Sequence, residues 1–152
     1  MALEFNTIGV KLKYKTESSA GTRPTSGYTQ IPDIKSTPAI DINPNKLEVT
    51  NLEDEYQRFI DGVKSVGDSF DFTANLTADL KTKWGSCVTA AKTAYASGKQ
   101  TWFEISIPNF DSFYFAGIPT ELGVNEMGVD AVIESTLHVV PNTIEGWASA
   151  SS

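Results

Sequence analysis

At 152 residues, with 40% hydrophobic and 20% charged side chains, the chain has ordinary globular composition and the size of one domain with one core. Cys87 is the only cysteine, which excludes an intramolecular disulfide, and one cysteine with one histidine cannot make the usual four-ligand metal site. The net charge of −7 is unevenly placed: residues 1 to 100 hold twelve acids and twelve bases, whereas residues 101 to 152 hold seven acids and no Lys or Arg, a surface that would repel nucleic acid.

The first strand is expected at Ile8 to Tyr14, where Ile8, Val10, Leu12 and Tyr14 alternate with Gly9, Lys11 and Lys13 at the period of two that buries one sheet face. Periodicity then stops, and residues 15 to 30 read as a long Ser-, Thr- and Gly-rich loop centred on Ala20, Gly21, Thr22, Arg23, Pro24, Thr25, Ser26, Gly27 and Tyr28. A connection of that length is disordered alone or ordered by a partner. Pro32, Pro38 and Pro44 punctuate the next stretch and leave a short strand at Lys46 to Thr50. Asn51 to Val66 reads as a second connection, with a helical or irregular piece around Glu53 to Ile60.

Asp68 to Leu76 sets Phe70, Phe72, Ala74 and Leu76 against Asp71, Thr73 and Asn75, the pattern of a strand. Thr77 then reads as the N-cap of a helix over Ala78 to Ser97, on which Leu80, Trp84, Cys87, Val88, Ala91 and Tyr95 share one face. Leu80, Trp84, Val88 and Tyr95 are the expected core contacts. Asp79 suits the positive end of the helix dipole, and Gly98 supplies the stop.

Three further strands are expected at Thr101 to Ile107, Ser112 to Ile118 and Gly128 to Val140, the first two joined by a turn at PNFD and the third long enough to bend. Pro141 is expected to end the pattern and leave residues 141 to 152 as a tail. The fold class is therefore mainly β (α+β): one domain over residues 1–152, a β-sandwich or small barrel with one flanking α-helix.

Catalytic constellations are sparse. His138 lies mid-strand beside Val139 and Val140, Cys87 falls on the buried helix stripe, and Glu53, Asp54 and Glu55 match no Ca²⁺ loop. GTRPTSG and KTKWGS lack the spacing of a phosphate loop. No cofactor, metal or enzymatic activity is expected. The N-terminus has no uninterrupted apolar signal region, and no window approaches the roughly 20 apolar residues of a membrane helix, so no membrane partner is expected and synthesis is expected in the cytoplasm.

IPDIKSTP leading to KLEVTNLED, YQRFIDGVKSVGDSFDFTANL, the helix with Trp84 and Tyr95, WFEISIPNFDSFYFAGIP and VIESTLHVVPNTI follow one another over residues 31 to 147. As an ordered set they resemble the major tail tube proteins of long-tailed, non-contractile, lambda-like bacteriophages. The resemblance implies a structural subunit that closes six-membered rings and stacks them into a hollow tube. Tape-measure, terminator and chaperone proteins would be its partners, and viral DNA would pass through without specific binding. It implies assembly in the host cytoplasm and a place in the virion tail, with the 20–28 loop stacking rings. Some relatives carry an extra immunoglobulin-like domain, which this chain is expected to lack. Two acidic strand faces are candidates for the channel lining: Glu104 with Trp102 and Ser106, and Asp130 and Glu134 with Thr136 and His138.

Three other readings remain open. One is a tube subunit of a contractile tail or secretion system. Another is a secreted carbohydrate-binding or adhesin module in which Trp84, Trp102 or Trp147 stacks on a sugar. The third, a hydrolase working with acidic residues alone, fits worst because no pocket constellation is visible.

Overall fold

Alternating apolar and polar side chains, punctuated by Gly and Pro, organise the chain as β1 (Lys11–Thr16), β2 (Thr29–Ile31), β3 (Ile34–Ser36), β4 (Asn43–Glu48), β5 (Phe59–Ser65), β6 (Phe70–Asn75), α1 (Ala78–Ala96), β7 (Thr101–Ser106), β8 (Ser112–Pro119) and β9 (Glu134–Ala148). This computed structural model describes residues 9–40, 43–65 and 69–151, and the chain divides into two units, Met1–Pro38 with Ser69–Ser152, and Ala39–Asp68.

The larger unit holds one antiparallel seven-stranded sheet in the order β2-β1-β7-β8-β9-β6-β3. Its two edge strands are joined in sequence by Pro32 and Asp33 alone, so the sheet curls into a nearly closed barrel. Asp33 turns that corner in the left-handed region, φ 62°, which a short polar side chain tolerates. Its carbonyl accepts the Asn75 amide at 3.0 Å, and its carboxylate accepts the Thr77 hydroxyl at 2.6 Å, which ties the corner to β6 and to the start of the helix.

One face of the sheet and one stripe of α1 make the main core. Leu12, Ile31, Phe70, Phe72, Phe103, Phe115, Leu137 and Val139 are buried there. Against them α1 sets Leu80, Trp84, Cys87, Val88, Ala91 and Ala94. Aromatic rings run through this core: Trp84 lies 6.4 Å from Phe103, Phe103 stacks at 5.4 Å on Phe115, and Phe115 meets the edge of Phe70 at 5.0 Å. Each such side chain stabilises the fold by about 1.5–3 kcal/mol through burial alone.

The helix begins and ends where the sequence signals it. Thr77 is extended (φ −130°, ψ 163°), and its side chain accepts the Leu80 amide at 3.1 Å. Gly98 takes φ 75°, and the Gly98 and Lys99 amides close the last turn on the Tyr95 and Ala94 carbonyls. Tyr95 is a correction: it is 67% exposed, and Ala94 takes the last buried position. Val88, on one side of the stripe at mid-helix, is buried, whereas Tyr95 on the same side falls in the final turn beside the Gly98 stop.

The C-terminal strand differs from expectation at both ends. Residues 128–133 form no strand, and β9 runs through Pro141 to Ala148. Proline is tolerated because β6 stops pairing at Val139 and the β8 register shifts twice, leaving Asn142 and Glu145 as the extra residues. Gly117 is the closest approach of β8 to β9; a Cβ there would lie 2.6 Å from the Val140 carbonyl oxygen.

The smaller unit is the antiparallel pair β4–β5, with Leu47 opposite Ile60 and Glu48 opposite Phe59. The strand β5 replaces the expected connection there, and the piece around Glu53 is a turn. Asp54 builds that turn: its carboxylate accepts the Asn51 amide and the Arg58 guanidinium, both at 2.9 Å, so the acidic cluster serves backbone geometry.

Candidate functional site

Alternation sends the residues between the core positions of β7 and β8 to the sheet's second face, and there the chain builds a small second core. Trp102, Tyr114 and Ala116 are buried together, with Tyr28 and Ala148 packed on them. Two segments cover this face, the 17–28 loop and the C-terminal residues Ala148–Ser151.

The loop is held by three side chains. Glu17 is buried, and its carboxylate accepts the Gly21 amide at 3.2 Å, the Gln100 amide at 2.8 Å and the Trp102 indole N–H at 2.9 Å. Burial pushes the Glu17 carboxyl up, but these donors and Lys99 outweigh it, and the group sits below the usual carboxylate value. Arg23 lies 4.0 Å over the Tyr114 ring and forms an ion pair with Glu145. Tyr28 packs at 6.0 Å on Tyr114 and donates its hydroxyl to the Pro24 carbonyl at 2.8 Å.

The loop is therefore ordered within its own subunit and adds to its core, against the expectation that only a partner orders it. Its anchors are Trp102 and Tyr114, more than seventy residues away in sequence. Ala20, Gly21, Thr22, Thr25, Ser26 and Gly27 remain exposed along it.

Glu104 is a second correction. It shares a face with Trp102, as the alternation predicts, but that face is covered, and Glu104 is fully buried. Its carboxylate accepts the Ser151 amide at 3.0 Å and the Ser151 hydroxyl at 2.6 Å, and it shares the single Tyr114 hydroxyl proton, 3.0 Å away, with the Ser149 carbonyl at 2.7 Å. Burial raises the Glu104 pKa, and the surrounding hydroxyl and amide donors more than offset that, leaving it lowered. The Tyr114 hydroxyl is pushed up to about 12 by its burial and by Glu104. Glu104 is thus a clamp for the C-terminal residues and offers no charge to a channel. The one sequence signal for it was an acid flanked by Trp102, Phe103 and Ile105.

Of the other proposed channel acids, Glu134 and His138 share the outward face of β9 with Thr136. Glu134 pairs with Lys35, and His138 Nδ1 lies 2.5 Å from Asp71, which the contact holds below its usual pKa. Asp130 is not on a strand; it lies in the exposed segment before β9 with φ 57°.

No three His, Cys, Asp or Glu side chains gather as a metal site among the described residues. Cys87 is buried in the core, and burial pushes its thiol pKa up. An open trough runs along α1 past Lys81, Gly85 and Thr89, lined by no acid, histidine or thiol. Trp84 is fully buried, its indole donating to the Thr120 carbonyl at 2.8 Å, so it is not a sugar platform.

No protein-family model and no curated protein matches the chain. Solved structures do. A chain in the tail of an empty gene transfer agent particle, refined helically with C6 symmetry, has a TM-score of 0.60 at 16% identity, covering 97% of this chain and 100% of that one. A chain of the native gene transfer agent virion gives 0.60 at 15% identity, covering 96% and 100%. One in the six-fold symmetrised baseplate of the anti-feeding prophage gives 0.63 at 6% identity, covering 96% and 97%. The nearly closed barrel with one helix is thus a fold found in phage-tail-like particles.

Proposed function

We propose that the chain is a non-enzymatic structural subunit of a phage tail tube, assembling as six-membered rings that stack around a channel for DNA. The observation that carries this reading is the fold shared, over 97% of the chain, with a tail chain of C6 symmetry. The β4–β5 hairpin adds to it. A two-stranded hairpin is marginal alone in water, and this one exposes Leu47, Leu52, Tyr56, Phe59 and Ile60, apolar surface suited to a neighbouring subunit. The 20–28 loop, anchored by Arg23 and Tyr28, presents its exposed residues to the next ring. Glu134 on β9 and the absence of Lys and Arg from residues 101–152 suit a wall that DNA passes without sticking.

Negative-stain electron microscopy of the concentrated protein tests this. Rings and tubes with six-fold end views are expected, and duplex DNA mixed with finished tubes should not sediment with them. Protein that stays monomeric in sedimentation at every concentration would refute it. The anti-feeding prophage likeness favours a second reading, a ring of a baseplate-type assembly, which would give single rings that do not stack.

A further inference from the structure

Between β8 and β9 lies a fourteen-residue connection, 120–133, that exposes five large apolar side chains: Val124 (67%), Met127, Val129 (94%), Val132 and Ile133. Connections of this length in a compact unit usually have a function. Its base is clasped: Ser135 donates to the Gly123 carbonyl at 2.7 Å, and the Asn125 amide bonds the Thr136 hydroxyl at 3.0 Å. These bonds fix the start of the segment on β9 and leave the apolar residues beyond it exposed.

Charge selects the partner. Among the acids in and beside this segment, Glu121 is paired with Lys92 and Glu134 with Lys35, which leaves Glu126 and Asp130 at the tip without a counter-ion among the described residues. On β1, Lys11, Lys13 and Lys15 stand opposite Ser106, Glu104 and Trp102, on the face away from α1, where Lys11 is exposed and Lys13 is half-buried at the margin of the segments that cover Trp102 and Glu104. Lys15 bonds the Ser26 carbonyl, and the carboxylate of Glu104 is taken up by Tyr114 and Ser151. Lys11 and Lys13 make no ion pair among the described residues.

We infer that the Val124–Val132 tip docks on the lysine face of β1 of a second copy of this chain, setting Glu126 and Asp130 against Lys11 and Lys13. Tip-to-tip pairing would oppose like charges, as would pairing of two β1 faces. A contact between two different patches is heterologous, so every copy keeps one of each free for the next neighbour, and the series closes as a ring or runs on. The inference rests on the self-assembly proposed above and names one of its contacts.

Reciprocal charge change tests it. One variant carries Glu126→Lys and Asp130→Asn, the Asn keeping a residue that tolerates positive φ; the other carries Lys11→Glu and Lys13→Gln. Both should melt like the wild type. Each alone should need a roughly tenfold or higher concentration to assemble, because opposed like charges replace attraction. An equimolar mixture should assemble near the wild-type concentration, since each altered patch then meets its complement. If either variant assembles as the wild type does, or if both fail and the mixture does not recover, this contact is wrong while the tube reading stands. A wild type that never assembles refutes both.

Discussion

Replacing Glu104 with Gln should unfold the protein more readily without touching any surface charge. The carboxylate accepts the Ser151 amide and the Ser151 hydroxyl and shares the Tyr114 hydroxyl proton with the Ser149 carbonyl, in a site closed to solvent. A hydrogen bond to a charged group contributes about 1.5–3 kcal/mol, whereas a buried donor left without a partner costs about 1–3 kcal/mol. Gln keeps one acceptor and turns an NH₂ group toward the others. The desolvation cost of the charge, which Gln avoids, offsets part of the loss. The net expectation is about 2–3 kcal/mol, or roughly 5–10 °C in Tm at this chain length.

The assay is urea unfolding followed by Trp fluorescence at several pH values. The folded Glu104 pKa lies below its unfolded value, about 4.3, so its contribution is full above that pH and is lost as pH falls through the folded value. The gap between wild type and Glu104→Gln should therefore be largest near pH 7 and narrow in acid. Glu17, shifted in the same direction, should keep both proteins acid-sensitive. A Glu104→Gln protein within about 0.5 kcal/mol of wild type at pH 7, the scatter of ordinary surface substitutions, would refute the clamp and return the carboxylate to solvent.

Trp84→Ala should cost about 3–5 kcal/mol in the same urea assay, since the ring is fully buried and also anchors the Thr120 carbonyl; a loss below about 1 kcal/mol would place it at the surface. Gly117→Ala should cost about 1–3 kcal/mol, because the new Cβ would meet the Val140 carbonyl across the β8–β9 ladder; an unchanged melt would show that the strands separate without penalty there.

Local signals located most of the fold. The alternation at Phe70, Phe72 and Ala74 and the cap at Thr77 preceded by a strand are properties of neighbouring residues, and the structure puts them where expected. What sequence periodicity missed depends on distant partners. Phe59–Ser65 has no clean alternation and becomes a strand because β4 supplies its ladder. Pro141 normally ends a strand, yet β9 continues past it because β8 offers a register with bulges. Glu104 and the 17–28 loop escape a local reading for one reason: whether a strand face meets water depends on what folds over it, and here the covering residues are Tyr28, Arg23 and Ser151. Nothing in the local sequence of WFEIS announces that cover.

The same long-range packing bears on how the single chain guards the open edge of β9. From Val140 to Ala148, β9 is paired on one side by β8, and β6 has ended its pairing at Val139, so among the described residues no strand occupies its other edge. An open edge of nine residues invites unregulated pairing. This one carries three of the usual protections: Pro141 lacks a donor, the extra residues Asn142 and Glu145 break the flat repeat, and Arg23 sits on Glu145 from the strapped loop. Association under the proposed function then falls to surfaces that are apolar and exposed in the single chain, the hairpin and the 124–132 tip. Removing the strap's grip on β9 should be hazardous in a way that removing a charge from the tip is not. Loss of the tip's charges stops a specific contact, whereas loss of the Arg23–Glu145 pair frees a side chain of β9 from the loop that holds it.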